Sequence, residues 1–237
     1  MESLNTVIPP KTKRLVIIGA GEFAKIAYEY FTYDSSFEVV AFAVEKEFCD
    51  SSEINGIPLI SIEDLYQQYS SNDCFVYVAI TYTKLNQVRE RIYLTLKGKG
   101  YKFATYISSR AFVWHNAVVG ENTFIFENNT IQPFCKIGNN VVLWSGNHIG
   151  HRTLINDHCY LSSHIVVSGF CEIGERCFIG VNSSFADSVK IADDIFVSMG
   201  SGITRSFESS NIILKGYPAL ELKKLSAKKF MKADEST

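Results

Sequence analysis

The chain has 237 residues, of which 46% are hydrophobic, and carries 23 Lys and Arg against 25 Asp and Glu. This composition predicts a folded chain with a substantial buried core, and its formal net charge of -2 excludes a global field that would favour nucleic acid or an anionic membrane. Any anionic ligand therefore requires a local site.

No basic stretch followed by a sustained apolar run opens the chain, and no segment approaches the ~20 apolar residues that span a bilayer. We therefore expect a cytoplasmic protein without membrane insertion. The six cysteines form no CxxC pair, so neither a disulfide scaffold nor a metal site is expected. Cys159, Cys171 and Cys177 are interpreted as small packing residues rather than catalytic thiols.

The first hundred residues alternate apolar strand patterns with helical ones. The predicted strands are 14–18, 37–44, 74–80 and 99–107, and the predicted helices are 23–31, 62–69 and 85–97. This alternation is typical of a small parallel sheet. It predicts an α/β domain of Rossmann-like type, half the size of a full dinucleotide-binding fold.

The turn Gly19-Ala20-Gly21-Glu22 opens the first helix. Backbone N–H groups and the positive end of the helix dipole at such a turn can hold a phosphate. The third glycine of a dinucleotide fingerprint is missing, which disfavours an NAD-dependent oxidoreductase. A plain tight turn is the alternative interpretation of this motif.

From position 113 to position 203 every sixth residue is apolar, and all of them except Phe185 are aliphatic. A helix would repeat at 3.6 and a strand at two, so this spacing indicates a solenoid. Three hexads make one triangular coil, in which residues 18 apart stack. Glycine often follows the apolar residue, as at Gly120, Gly138 and Gly150, which predicts sharp corners at these positions.

We therefore expect a Rossmann-like domain over residues 1–108 and a β-helical solenoid over 109–237. The Lys-rich segment from Pro218 to Met231 is expected to form a helical cap over the last coil. Flat apolar faces on such a solenoid favour self-association.

Several segments carry a family resemblance: the GAGEFAK turn, the NGIPLIS segment, the hexads with GNHIGHRTLINDHCYLSSHIVVSG, and the terminal KGYPALELKK. Together they resemble the sialic acid O-acetyltransferase family of sugar acyltransferases, which includes bacillosamine and perosamine N-acetyltransferases. The likeness runs from about Leu15 to Lys224. It implies a left-handed parallel β-helix, a homotrimer, acetyl-CoA as cosubstrate, and a UDP- or dTDP-linked amino sugar as acceptor in surface glycan biosynthesis.

All five histidines lie in the solenoid, and four of them fall between positions 148 and 164. Acyl transfer from a thioester needs a base to deprotonate the acceptor, and imidazole titrates near neutrality. His151 aligns with the family's catalytic histidine and is the expected base, with His164 as the alternative. Stacking places Gly169 beneath His151, and in the family the backbone amide of this glycine meets the thioester oxygen.

The family usually places Asp or Glu directly after the base, whereas Arg152 stands there in this chain. Asn147 and Asp157 are the candidates for the group that orients the imidazole. His148 and His158 are interpreted as structural, and a structural role at a corner or a subunit interface is the alternative for His151.

Two sets of ligand-binding residues follow from the stacking and the resemblance. The expected coenzyme A groove comprises Gly180, Val181, Ser198, Gly200 and Gly202, with Gly216, Pro218 and Ala219 near the adenine and Lys215 or Lys223 near a phosphate. The expected nucleotide-sugar site comprises Gly19, Gly21, Glu22, Glu45, Thr81 and Lys84. Plain corners and surface solvation are the alternatives for these residues.

N-acetylation is favoured over O-acetylation because a nucleotide-binding half suits a nucleotide-activated amino sugar. Hexapeptide coils also carry histidine-bound zinc, so a carbonic-anhydrase-like protein using His148, His151 and His164 is an alternative from another class. A non-catalytic solenoid scaffold is a further alternative.

Overall fold

A computed structural model describes residues 8–223 and 226–230. It divides into two compact units. The first unit comprises the residues up to Ile80 together with Ile92–Tyr106, and the second comprises Thr81–Arg91 together with the residues from Ile107 onward. The expected division at residue 108 placed Thr81–Arg91 in the first domain, whereas this segment packs with the second unit.

The first unit is the predicted α/β fold. Its elements are β1 (Lys13–Ile18), α1 (Glu22–Tyr33), β2 (Phe37–Val44), a 3-10 turn (Lys46–Phe48), β3 (Glu53–Ile54), β4 (Ile57–Ser61), α2 (Ile62–Gln68), β5 (Phe75–Val78), α3 (Gln87–Gly98), whose first turn belongs to the second unit, and β6 (Lys102–Phe103). The sheet order is β3-β4-β2-β1-β5-β6, parallel except for the antiparallel pair β3–β4. The central strand β1 is completely buried over its last four residues, as its apolar sequence predicts.

The strand predicted over 99–107 is two strands. Lys102–Phe103 forms β6 and pairs with β5, while β7 (Tyr106–Ile107) is the first strand of a different sheet. The prediction of one continuous strand was therefore wrong.

The second unit is the coil that the six-residue period predicts. Its two-residue strands are β8 (Phe112–Val113), β9 (Val118–Val119), β10 (Phe124–Ile125), β11 (Thr130–Ile131), β12 (Lys136–Ile137), β13 (Val142–Leu143), β14 (His148–Ile149), β15 (Leu154–Ile155), β16 (Tyr160–Leu161), β17 (Val166–Val167), β18 (Glu172–Ile173), β19 (Phe178–Ile179), β20 (Ser184–Phe185), β21 (Lys190–Ile191), β22 (Phe196–Val197) and β23 (Gly202–Ile203).

Consecutive strands fall into three parallel sheets, so that each coil contributes one strand to each sheet. The register joins residues 18 apart, as in Thr130 with His148 and Ile137 with Ile155. The apolar residue of each hexad points inward, and from Ile125 to Ile203 all of these residues are buried in one core cluster. Cys159, Cys171 and Cys177 are buried in this cluster, which confirms their role in packing.

At the corners of the coil, residues at the fourth position of the hexad adopt the left-handed backbone conformation, with positive φ. Residues with positive φ there include Asn140, Arg152, His158 and His164. The glycines at the second position do not have positive φ; a Cβ on Gly150, for example, would lie 2.5 Å from the carbonyl carbon of Ser168 in the next coil. Glycine at this position therefore permits close approach of successive coils, and the expectation that it forms the corner was wrong.

Segment Thr81–Arg91 binds one corner of the coil through polar side chains. Asn86 Nδ2 donates to the carbonyls of Arg176 and Cys177, both at 3.1 Å. Arg89 Nη2 donates to three coil carbonyls, among them that of His158 at 2.9 Å. Because coil carbonyls accept these hydrogen bonds, the segment belongs to the second unit.

The last coil is covered mainly by strands. β24 (Ile213–Lys215) pairs in parallel with β22 and antiparallel with β25 (Leu220–Glu221), and the helix α4 covers only Ala227–Phe230. The C-terminal helix therefore exists, but it is shorter than the predicted range from Pro218; Met231 lies outside the described residues. Within 8–223 and 226–230, none of the helices combines the length and apolarity of a membrane span.

Candidate active site

His151 lies on a corner of the coil, in the turn after β14, with its side chain exposed. The imidazole stands over Gly169, since a Cβ on that glycine would lie 2.5 Å from Cε1 and 2.9 Å from Nε2 of the ring. The ring of Phe170 meets the imidazole edge-on, with 5.0 Å between centroids. The predicted stacking of Gly169 beneath His151 is confirmed.

Two polar side chains border the same imidazole. Gln132 Oε1 accepts the backbone N–H of His151 at 2.9 Å and lies 3.4 Å from ring Nδ1. Asp187 Oδ1 lies 3.0 Å from the position of a Cβ on Gly169, the same point that the His151 ring approaches. We call Gln132, His151, Gly169 and Asp187 the His151 corner. Neither Gln132 nor Asp187 was predicted; the stacking rule could have found Asp187, 18 residues from Gly169, but not Gln132, which is 19 residues from His151.

The candidates for orienting His151 lie elsewhere. Asn147 is buried, with Nδ2 donating to the Trp144 carbonyl at 2.6 Å and Oδ1 accepting from the N–H of Ile165 at 2.8 Å. The Asp157 carboxylate accepts from the backbone and side chain of Asn139 at another corner. Both side chains satisfy coil groups, so the expectation that one of them orients the imidazole was wrong.

His158 has a structural environment, as predicted. Its Nδ1 lies 2.8 Å from Asn140 Nδ2, and its Nε2 lies 3.7 Å from Glu90 Oε1. The side chain is almost fully buried, so it is removed from any solute.

His164 lies on a different corner, in the turn after β16. Its ring stands over Gly146, where a Cβ would lie 2.6 Å from Nδ1, and the side chain is exposed. Gly146 has a φ of +78°, so glycine is also favoured there by the backbone conformation. We call Gly146 and His164 the His164 corner.

A pocket of about 450 Å³ opens further along the same edge of the coil, in the coils that follow His164. Its lining residues are Tyr82, Phe178, Gly180, Val181, Phe196, Ser198, Met199 and Lys215. The structure therefore brings together four of the residues predicted for the coenzyme A groove. The rings of Phe178 and Phe196 stack at 5.0 Å between centroids, and Tyr82 meets Phe178 edge-on at 4.8 Å.

The sequence analysis missed the aromatic wall of this pocket. Phe178 and Phe196 are 18 residues apart and precede inward-facing apolar residues, so the repeat could have revealed that they stack on the outer face. Tyr82 comes from the segment that joins the coil only through tertiary contacts.

The remaining predicted groove residues lie around the end of the coil. Gly200 is a corner residue with a φ of +66°, and the ring of Tyr217 fills the space over Gly202. Ala219 is only 3% exposed and packs into the core cluster, so it offers little surface to an adenine. The other members of this group, Gly216, Pro218 and Lys223, are exposed.

In the first unit, the predicted nucleotide site lies at the carboxyl ends of β1 and β2, which are adjacent in the sheet. Gly19 has a φ of +131°, and a Cβ there would lie 2.8 Å from the Ala79 carbonyl oxygen. Gly21 caps α1, Glu22 is the first helical residue, and Glu45 follows β2. Ligands commonly bind at this edge of parallel sheets.

Thr81 and Lys84 were expected to complete that nucleotide site, but they belong to the second unit. Among the described residues, no three His, Cys, Asp or Glu side chains are grouped so that they could hold a metal ion.

Three family models match parts of the chain. The PglD N-terminal domain matches residues 14–96, the bacterial transferase hexapeptide (six repeats) matches 116–151, and the hexapeptide repeat of succinyl-transferase matches 172–205. The first match lies in the α/β part of the sequence, and the other two lie in the coil.

Solved structures share the fold over most of the chain. The acetyltransferase domain of PglB from Neisseria gonorrhoeae FA1090 is 21% identical, with a TM-score of 0.76 over 89% of this chain and 100% of that one. A histidine-to-asparagine variant of perosamine N-acetyltransferase from Caulobacter crescentus, in complex with CoA and GDP-perosamine, is 21% identical, with a TM-score of 0.78 over 89% of this chain and 97% of that one. WeeI from Acinetobacter baumannii AYE is 19% identical, with a TM-score of 0.55 over 89% and 100%. The two parts of the chain thus match the PglD N-terminal domain and bacterial transferase hexapeptide repeats in that order, with a β-helix fold shared with these acetyltransferases, which confirms its resemblance to the hexapeptide-repeat sugar acyltransferases.

Proposed function

We propose that this protein is an acetyltransferase that transfers the acetyl group of acetyl-CoA to the amine of a nucleotide-linked amino sugar, with His151 as general base. The observation that carries this proposal is the exposed imidazole that stands over Gly169, where the lack of a side chain gives the ring its room. The fold likeness to a perosamine N-acetyltransferase that holds CoA and GDP-perosamine supports the choice of substrates.

Acetyl-CoA supplies an acetyl thioester whose carbonyl carbon is open to attack by an amine. His151 takes a proton from the acceptor's ammonium group, which frees the lone pair that attacks. The same imidazole then gives that proton to the departing sulfur, and the acylated nitrogen loses its second proton to solvent, so that the products are the N-acetyl sugar, the free thiol and one proton. The backbone N–H of Gly169 is the proposed donor to the carbonyl oxygen.

Asp187 supports an amine rather than a hydroxyl as acceptor. Asp187 Oδ1 and His151 Nε2 lie 3.0 and 2.9 Å from the same point, the position of a Cβ on Gly169, so a cationic ammonium that arrives at His151 meets a negative charge. A neutral hydroxyl gains less from this charge. O-acetylation of a sugar hydroxyl would use the same base and is the alternative that an assay separates.

The pocket with the aromatic wall is the proposed site for part of coenzyme A. Lys215 offers a cation for a phosphate, and Phe178 and Phe196 offer apolar surface. The pocket and His151 lie on different corners of the coil, which supports a homotrimer in which the pocket of one copy serves His151 of its neighbour. The nucleotide is assigned to Gly19, Gly21, Glu22 and Glu45 of the first unit.

Because both proposed substrates are soluble metabolites, we place the reaction in the cytoplasm, as a step of surface glycan biosynthesis such as that of a lipopolysaccharide O-antigen. The oligomeric state is measured by light scattering coupled to size exclusion, where three chain masses are expected and a monomer would contradict the trimer.

The testing experiment incubates the purified protein with acetyl-CoA and a panel of UDP-, dTDP- and GDP-linked amino sugars, each paired with its hydroxyl counterpart. Thiol release and the product mass are followed together. Burial raises the pKa of the Cys135, Cys171 and Cys177 thiols, so these groups react slowly with a thiol reagent. Acetylation of at least one amino sugar supports the proposal; acetylation of hydroxyl counterparts alone, or of no sugar in the panel, contradicts it.

A further inference from the structure

His151 lacks the acidic neighbour that the family resemblance leads one to expect. The next residue is Arg152, whose guanidinium lies 4.5 Å above the ring centroid of Phe134. A general base still needs a defined tautomer, because only the nitrogen without hydrogen can accept a proton. Another side chain must therefore orient this imidazole.

Gln132 is placed to do so. Its Oε1 lies 2.9 Å from the backbone N–H of His151, and a backbone N–H can only donate. The atom that faces it must therefore be the amide oxygen and not the amide nitrogen. This contact fixes the orientation of the Gln132 amide independently of the imidazole.

The same oxygen lies 3.4 Å from Nδ1 of the imidazole. An amide oxygen has no hydrogen to give, so a hydrogen bond between the two atoms requires that Nδ1 carries the hydrogen. In the neutral ring, Nε2 then holds the lone pair. Nε2 is also the ring nitrogen on the side of Gly169, 2.9 Å from the position of a Cβ on that glycine.

We infer that Gln132 is a positioning residue that holds neutral His151 as the Nδ1–H tautomer, in place of the acidic residue found in the family. The amide takes the orienting role without adding a charge. The catalytic consequence rests on the proposed function, but the tautomer is a property of the free protein and is measured without substrate.

The test compares four proteins labelled with ¹⁵N-histidine: the native chain, Gln132→Met, Gln132→Glu and Asn156→Met. Methionine keeps the side-chain length and removes the amide oxygen, whereas glutamate keeps an acceptor at the same reach. Asn156→Met is the matched control, because it removes a 2.9 Å hydrogen bond to the Ile173 carbonyl at another corner. The His151 resonances are assigned with His151→Ala, and all spectra are recorded at a pH where the ring is neutral.

The expected result is the Nδ1–H tautomer in the native chain, in Gln132→Glu and in Asn156→Met, and a shift toward Nε2–H in Gln132→Met. In the acetyl-transfer assay, Gln132→Met should lower kcat about tenfold with an unchanged KM for acetyl-CoA. Gln132→Glu should restore kcat and move its half-maximal pH upward, because a carboxylate near Nδ1 favours the protonated ring.

An Nε2–H tautomer in the native chain, or an unchanged tautomer in a folded Gln132→Met variant, would overturn the inference. Thermal unfolding of each variant shows whether it is folded. If the tautomers behave as expected while no acetyl transfer is found, the proposed function fails and the assignment of Gln132 stands.

Discussion

The His151 and His164 corners of the coil have the same basic geometry and different surroundings. In each, an imidazole stands over a glycine 18 residues away, because successive coils stack in register. At His151, the ring is bordered by the amide of Gln132 and the carboxylate of Asp187. Along the edge that carries His164, the coils that follow line a pocket with an aromatic wall. The stacking of a histidine over a glycine thus follows from the repeat alone. The proposed general base, His151, differs from His164 in the polar side chains around it.

Gly146 and Gly169 also differ in the physical reason that favours glycine at each position. Gly146 has a positive φ, so its backbone favours glycine whatever lies above it. Gly169 does not have a positive φ, and the groups that a Cβ would meet there include the His151 ring and Asp187. The absence of a side chain at Gly169 therefore leaves room for the imidazole.

The strongest test of this difference between the two corners is to remove each imidazole. His151→Ala should lower kcat by about 100-fold or more, since a general base contributes that much. His164→Ala should change kcat by less than about threefold. Steady-state rates with the best acceptor of the panel measure both, and equal losses in the two variants would show that the corners were assigned wrongly.

A second test adds a methyl group at each glycine. Gly169→Ala should displace the His151 ring and lower kcat by more than about tenfold, with a modest change in melting temperature. Gly146→Ala should behave in the opposite way, costing about 1 kcal/mol of stability through its positive φ while largely sparing kcat. Melting curves and kcat are measured on the same samples; an active Gly169→Ala enzyme would contradict the proposed geometry.

The pocket should affect binding rather than the chemical step. Phe178→Ala and Lys215→Ala should each raise KM for acetyl-CoA about fivefold and leave kcat nearly unchanged, and the effect of Lys215→Ala should shrink at high salt. Lys190→Ala is the control, because that lysine pairs with Glu172 at 3.0 Å on another face of the coil. If KM is unchanged in both pocket variants, coenzyme A binds elsewhere.

The smallest expected effect concerns the kind of acceptor. Asp187→Asn removes the charge that favours an ammonium group, so kcat/KM for the amino sugar should fall about threefold. The rate of any slow transfer to a hydroxyl analogue should stay the same. The ratio of the two rates is the measurement. The exposed Glu208→Gln variant serves as the control for a lost negative charge, and an unchanged ratio in Asp187→Asn would remove the carboxylate from the proposal.

The sequence by itself determined the coil, its register and the placement of Gly169 beneath His151. A period of six gives every residue neighbours 18 positions away, so local spacing specifies spatial contacts along the solenoid. The same rule applied to the outer face would have revealed Asp187 and the stacked Phe178 and Phe196, but not Gln132, which lies 19 positions from His151. The sequence analysis was wrong about the corners. Glycine at the second position of the hexad lets the next coil pack closely, and residues with positive φ, such as Arg152, form the turn.

Only the tertiary structure decided the place of Thr81–Arg91. Tyr82 in the pocket and Asn86 on the coil depend on contacts with residues about 90 positions away. No period connects such partners, since they meet through the burial and hydrogen bonding of one particular surface. The same holds for Asn147, whose amide is taken up by coil backbone groups that the sequence alone does not locate. Within the repeat, the spacing in the sequence predicts which residues are neighbours in space. A segment that docks from outside the repeat is placed by its side-chain contacts alone.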